Sequence, residues 1–147
     1  MFRGRHDHAI DAKGRLSIPA GFRNEILRRS ESPPILTTDR GCLALYPFDE
    51  WQRFEHKLTD ADQLRPEVQS LTRFFFANAV EAPFDKQGRI LIPKYLRDHA
   101  GLERDVTVAG MGSRIELWNK DELDLDLRHT YENLDSMRAA FAAPGSR

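Results

Sequence analysis

One nine-residue pattern occurs twice, and it constrains the fold more than any other feature of the chain. The first copy reads Asp11-Ala12-Lys13-Gly14-Arg15-Leu16-Ser17-Ile18-Pro19. The second, 74 residues later, reads Asp85-Lys86-Gln87-Gly88-Arg89-Ile90-Leu91-Ile92-Pro93. The register continues to Phe22-Arg23 against Leu96-Arg97. Leu43-Ala44-Leu45-Tyr46 recurs as Ile115-Glu116-Leu117-Trp118, and Asp49-Glu50 as Asp121-Glu122, now 72 residues apart. A whole unit is therefore duplicated, and the two missing residues fall between the strand hairpins, where length changes are tolerated.

Within each copy the residues dictate a turn, a strand and a helix start. Glycine admits the positive φ of a tight turn at Gly14 and Gly88. Leu16 and Ile18 alternate with Arg15 and Ser17 at the period of a half-buried strand, and Ile90-Leu91-Ile92 is a more apolar version. Pro19 and Pro93 stop the strand and suit a first helical turn. Residues 5–10 are expected to pair with 15–18 as a hairpin, followed by a helix over 19–29 with Phe22 and Ile26 on one face. Residues 35–38 and 42–46 read as a second hairpin, and Phe48, Trp51, Phe54 and Leu58 as one face of a helix. Pro66 opens another helix. The apolar run Phe74-Phe75-Phe76 is expected to dock on both halves or on a neighbouring subunit. The second unit repeats the plan with a hairpin turning at 85–89, a helix over 94–100 capped by Gly101, and a hairpin over 106–118. A last helix from about Lys120 carries Leu123, Leu127, Tyr131, Leu134, Met137 and Phe141, and residues 142–147 are expected to fray.

The fold class is mainly β with peripheral helices (α+β). The units are expected at 5–51 and 80–123, with a helical connection at 52–79 and a C-terminal helix and tail at 124–147. Each unit is too small to bury a good core alone. Pairing the two around a pseudo-two-fold axis solves this and brings the glycine turns close together on one surface.

The net charge is only −1, so the chain as a whole does not attract a polyanion. Its distribution is uneven: residues 1–29 hold seven basic side chains against three acidic, whereas residues 116–147 hold four against seven. That asymmetry hints at a basic working face. Cys42 is the single cysteine, which excludes an internal disulfide and a cysteine-rich zinc site. No apolar run approaches membrane-spanning length, and the amino end has no signal-peptide pattern, so the cytoplasm is expected.

Met1-Phe2-Arg3-Gly4, then Asp11 to Leu16, then Ile18-Pro19, resemble the start of the MraZ family. Asp85, Gly88-Arg89, residues 43–46 and Leu96 to Leu102 extend the similarity over roughly residues 1–125. The resemblance implies two tandem AbrB/SpoVT-type swapped-hairpin units forming a pseudo-two-fold β-barrel. It implies a DNA-binding transcriptional regulator, generally a repressor of the division and cell-wall gene cluster promoter, acting in the cytoplasm and nucleoid. It also implies ring-like homo-oligomers on short repeats of double-stranded DNA, and it places Asp11, Lys13, Arg15, Asp85 and Arg89 on the DNA-facing surface. Lys13 has Gln87 as its counterpart, with Lys86 one position earlier, so the two loops differ.

The loop chemistry fits that implication. A guanidinium takes guanine O6 and N7 together or grips a phosphate. Arg15 and Arg89 are the candidates for this role. Lys13, Lys86, Arg3 and Arg5 suit phosphate neutralisation. Asp11 and Asp85 would repel phosphate, so each is expected to cap its own turn or orient its arginine, with Gly14 and Gly88 shaping the loops. An Asp–Arg pair that only holds a hairpin is the competing explanation. Asp11 and Asp85 as an acid–base pair would be an enzyme's arrangement, but no nucleophile or phosphate loop accompanies them, so neither catalysis nor a cofactor is expected. His6 and His8 lack the further ligands of a zinc site. The remaining alternative is an interaction module of antitoxin type, which shares the hairpin fold.

Overall fold

The computed structural model describes residues 1–143; the last four residues of the tail expected to fray lie outside the described ones. The strands are β1 (Arg5–Ala9), β2 (Arg15–Ser17), β3 (Ile35–Asp39), β4 (Cys42–Tyr46), β5 (Val80–Glu81), β6 (Arg89–Leu91), β7 (Asp105–Gly110) and β8 (Ile115–Asn119). The helices are α1 (Ala20–Arg29), α2 (Phe48–Asp60), α3 (Pro66–Phe76), α4 (Lys94–Ala100), α5 (Lys120–Glu132) and α6 (Leu134–Ala142). Pro19, Pro47 and Pro93 each immediately precede a helix, and Gly101 closes α4 in the left-handed conformation.

Neither hairpin expected around a glycine turn forms: β1 does not pair with β2, nor β5 with β6, whose partners are β3 and β2. β1 pairs with β7 and β2 with β6, so each strand leaving a glycine turn finds its partner in the other half. The exchange follows the repeat: Asp7 pairs with Thr107, and the residues related to them, Glu81 and Ile35, also pair. A lone two-stranded hairpin is marginal in water. Exchange places β1 in a larger sheet and sets Leu16 opposite Ile90, both fully buried. The hairpins β3–β4 and β7–β8 form as expected.

The result is an antiparallel sheet in the order β1-β7-β8-β4-β3-β5 with a separate ribbon, β2-β6. Among the described residues no strand pairing joins ribbon to sheet or β1 to β5, so the expected barrel is not closed. Proline is one reason at the β5 edge. Ala82 N–H still donates to Pro34 O, but Pro83 has no N–H to extend the pairing, nor have Pro33 and Pro34 opposite. Where β1 ends, by contrast, Ile10 N–H reaches Arg104 O at 2.8 Å, and the ladder runs up to the turn.

One core lies between sheet and ribbon, combining Leu16 and Ile90 with Leu36, Leu43, Leu45, Val108, Ile115 and Leu117, closed by Phe22 and Ile26 of α1 and Leu96 of α4. Alternation along β3 and β4 sends Ile35, Ala44 and Tyr46 to the opposite face, where Trp51, Phe54 and Phe76 cover them. The Phe run docks on both halves: Phe75 packs edge-on against Phe54, Phe76 against Trp51, and Phe74 against His99 of α4. Thr37 and Thr38 donate to the carbonyls of Phe75 and Phe74, which ties the end of α3 to β3.

The single last helix is two helices. The chain breaks at Asn133, whose side-chain amide donates to His129 O at 2.8 Å and ends α5. Of the expected stripe only Leu123 is buried; Tyr131 is 79% and Phe141 84% exposed.

Candidate nucleic-acid interface

Each turn is built by its aspartate. Asp11 Oδ1 accepts from the backbone N–H of Lys13 at 3.0 Å and of Arg15 at 2.9 Å, and Oδ2 accepts from Arg15 Nε at 2.7 Å. Asp85 repeats this with Gln87 N–H at 2.9 Å, Arg89 N–H at 2.9 Å and Arg89 Nε at 2.8 Å. These bonds stabilise the charged form, so both carboxyls titrate below the ordinary range, the backbone N–H of Arg15 contributing most for Asp11 and that of Arg89 for Asp85. A carboxylate so committed is a poor proton donor at neutral pH, which removes the basis for an acid–base pair.

Gly14 and Gly88 have φ of +85° and +77° and donate their N–H to Asp11 O and Asp85 O. They are required for a second reason. A Cβ on Gly14 would lie 2.9 Å from Ile92 O, and one on Gly88 would run into the Arg23 guanidinium. The halves are laced together here: Ile92 N–H donates to Gly14 O and Ile18 N–H to Gly88 O. Arg23 bonds Ile18 O while lying against Gly88, and Arg97 bonds Ile92 O while lying against Gly14. Sequence reasoning gave these two arginines no role. Their only signal was that both recur in the repeat.

The two turns meet. Arg89 Nη1 is 3.8 Å from Asp11 Oδ2, so Arg15, Asp11, Arg89 and Asp85 form a run of alternating charge across the pseudo-axis. Because Leu16 and Ile90 face the core, Arg15, Ser17, Arg89 and Leu91 share the outer face of the ribbon. Arg15 lies opposite Leu91, and Ser17 opposite Arg89. The aspartates occupy each Nε. The terminal nitrogens of Arg15 have no hydrogen-bond partner among the described residues, which leaves it a two-pronged donor aimed from a fixed stem. Lys13, Lys86 and Gln87 are exposed at the turn tips.

Arg3 and Arg5 are not brought to this site. They stand at the start of β1, about 13 Å of strand or more from the turn that follows its other end. Arg5 Nη1 instead lies 3.5 Å from Asp124 of α5. Arg104, to which sequence reasoning gave no role, is exposed beside the first turn. It borders a concavity with Ile10, Asp11, Ala12 and Glu103, and no sequence pattern distinguishes it. His6 stacks edge-on against Phe22, and Asp7 accepts from Thr107 at 2.8 Å. Among the described residues no group of His, Cys, Asp and Glu is placed to hold a metal. Burial pushes the Cys42 thiol well above its ordinary pKa. Among the described residues no helix is long and apolar enough to cross a membrane.

A family model described as "MraZ protein, putative antitoxin-like" matches residues 1–74 and again residues 75–136. A protein of Solidesulfovibrio magneticus called transcriptional regulator MraZ is 40% identical over 147 residues, covering 99% of this chain and 97% of its own. Proteins of the same name from Pediococcus pentosaceus and Pelotomaculum thermopropionicum are 41% and 47% identical, covering 93% and 83% of this chain and 94% and 82% of their own. The duplicated turn, its interlocked halves and these matches together establish that the chain belongs to the MraZ family.

Proposed function

We propose that this protein is a sequence-specific DNA-binding transcriptional regulator, a repressor of the division and cell-wall gene cluster promoter. The observation that carries the proposal is the ribbon's outer face, where two arginines with carboxylate-pinned Nε atoms stand side by side across the halves. A two-stranded ribbon fits the major groove, and a guanidinium with free terminal nitrogens matches guanine O6 and N7. Lys13 and Lys86 at the tips neutralise flanking phosphates. The relatives' name, transcriptional regulator MraZ, supports the same reading. The strand exchange between units is, in this proposal, the swapped hairpin of AbrB/SpoVT-type proteins, and the protein works in the cytoplasm on the nucleoid.

One such patch on a chain of net charge −1 binds DNA weakly. The exposed apolar residues of α5 and α6, Tyr131, Met137 and Phe141 among them, join copies into a ring-like homo-oligomer. Neighbouring patches then read short direct repeats about one helical turn, roughly 10 base pairs, apart. Selection from a random duplex pool tests the class: a recurring short element is expected. With two such elements, an added half turn of about five base pairs should cost most of the affinity, and about ten should restore part of it. The exposed helices would equally suit an antitoxin-type partner, and absence of any enriched duplex would favour that second reading.

A further inference from the structure

The two halves present the same arginine but different neighbours. Repeat-related positions 17 and 91 are serine and leucine, and both lie on the ribbon's outer face. Leu91 is 57% exposed, although its sequence neighbours Ile90 and Ile92 are fully buried. Among the described residues it is the only apolar side chain in that face, and the residue opposite it is Arg15. Around it Arg15, Arg89 and the exposed Lys13 and Lys86 outnumber the carboxylates of Asp11 and Asp85, which are themselves committed to the arginines and the turns. The excess charge is therefore positive, and the patch's occupant is a polyanion rather than an apolar protein surface.

Resting on the DNA-binding reading above, we infer that Leu91 is a specificity-determining residue that packs on the 5-methyl group of a thymine. On the floor of the major groove the thymine methyl is the one apolar feature a leucine can recognise, and cytosine lacks it. Cross-strand neighbours lie about 5 Å apart, and base pairs about 3.4 Å apart. The thymine therefore falls within one or two base steps of the guanine that Arg15 reads. Ser17, opposite Arg89, makes no equivalent demand. The pseudo-symmetric ribbon thus reads an asymmetric element, with a guanine for each arginine and a thymine on one side only. This gives each element a direction, as direct repeats require.

The test uses the full-length protein and its selected duplex, with each thymine replaced in turn by deoxyuridine, which removes only the methyl group. Wild type should lose about fourfold in affinity per element at one thymine, the value of one buried CH2-sized group. Leu91→Ala should bind the thymine and deoxyuridine duplexes equally. It should keep its folding stability and its oligomeric state, because the side chain is exposed. The inference is overturned if wild type binds its duplex yet ignores deoxyuridine at every position, or if Leu91→Ala keeps the wild-type ratio. It is also overturned if Leu91→Ala dissociates the oligomer, which would place Leu91 against a second copy. Failure of wild type to select any duplex would instead overturn the DNA-binding reading, and Leu91's role with it.

Discussion

The halves match at the ribbon and diverge on the opposite side of the sheet. In the first half, Ile35, Ala44 and Tyr46 form an apolar face, and α2 and α3 fold over it with Trp51, Phe54 and Phe76. In the second half the repeat-related sheet positions are Thr107, Glu116 and Trp118. Glu116 takes the Trp118 indole N–H at 2.8 Å and Arg114 at 3.3 Å. The helix above has Leu123 where α2 has Trp51, and Asp126 where it has Phe54. α6 therefore has no apolar surface of its own to return to, and its side chains stay exposed. The difference shows what holds a duplication in register. At the ribbon, each half's backbone bonds the other's glycine turn, so a change in one copy is felt by both. The outer helices reach the other half through scattered side-chain contacts, such as Phe74 with His99 and Asp124 with Arg5, and their sequences were freer to part.

Substitution on the two backs measures that difference most directly. Trp51→Ala should cost about 3–5 kcal/mol, the usual loss for a buried large aromatic side chain. Phe141→Ala, on the exposed helix, should change monomer stability by no more than about 0.5 kcal/mol. Urea unfolding repeated over a range of protein concentrations separates the monomer term from any loss of subunit contacts at Phe141. Comparable losses would mean that α6 is as firmly covered as α2, and the contrast between the backs would fail.

What the sequence disclosed was local. The Asp-to-turn bonds span two and four residues, so Asp11 and Asp85 could be assigned from the motif alone. Strand positions followed from alternation, and helix starts from proline. Strand partners did not follow, because a tight turn reads the same whether its flanking strands pair or part; the hairpins expected around both glycine turns failed for this reason. Arg23 and Arg97 stayed unread because their contacts exist only after the halves interlock. The break at Asn133 was hidden because the apolar spacing of α5 continues in step into α6. The outward Leu91 was not singled out, since a run of three aliphatics gives no sign of which one faces away.

The arginines should be unequal despite their matching turns. Arg89 is 24% exposed and lies near two carboxylates, Asp85 at 2.8 Å and Asp11 at 3.8 Å. Arg15 is 34% exposed and is bound to one. Less of Arg89 is therefore available to a base. Arg15→Ala should weaken specific binding by about 1–3 kcal/mol per element, the range of one bidentate base contact, with folding unaffected. Arg89→Ala should fall at or below the lower end. A titration of each variant against the selected duplex decides the order; the reverse order would mean that Arg89 leaves its carboxylates on binding.

The turn tips carry one lysine each, but at positions one residue apart in the repeat, Lys13 in the first and Lys86 in the second. Lys13→Ala removes one phosphate contact and should lower the salt slope by about 0.9 while weakening all duplexes alike. Gln87→Ala removes no charge and should leave that slope unchanged. Equal slopes for the two variants would show that the tips do not track the phosphates differently.

The smallest expected difference concerns acid. Asp11 and Asp85 are held below the ordinary carboxylate pKa of 3.8 by the same pattern of bonds, led by the backbone N–H of Arg15 and of Arg89. A depressed folded pKa stabilises the turn above the unfolded value and is lost as pH falls through the folded one. Neither turn should therefore weaken between pH 8 and pH 5, and both should loosen only below about pH 4. Carboxyl-carbon NMR titration should place both midpoints below 3.8. The remaining asymmetry is the 3.8 Å contact from Arg89 to Asp11. Arg89→Ala should raise the Asp85 midpoint and, more weakly, that of Asp11, whereas Arg15→Ala should raise that of Asp11 alone. A matching response of Asp85 to Arg15→Ala would show that the charge run is symmetric in solution, and that the two turns differ only in Lys13, Lys86 and Leu91.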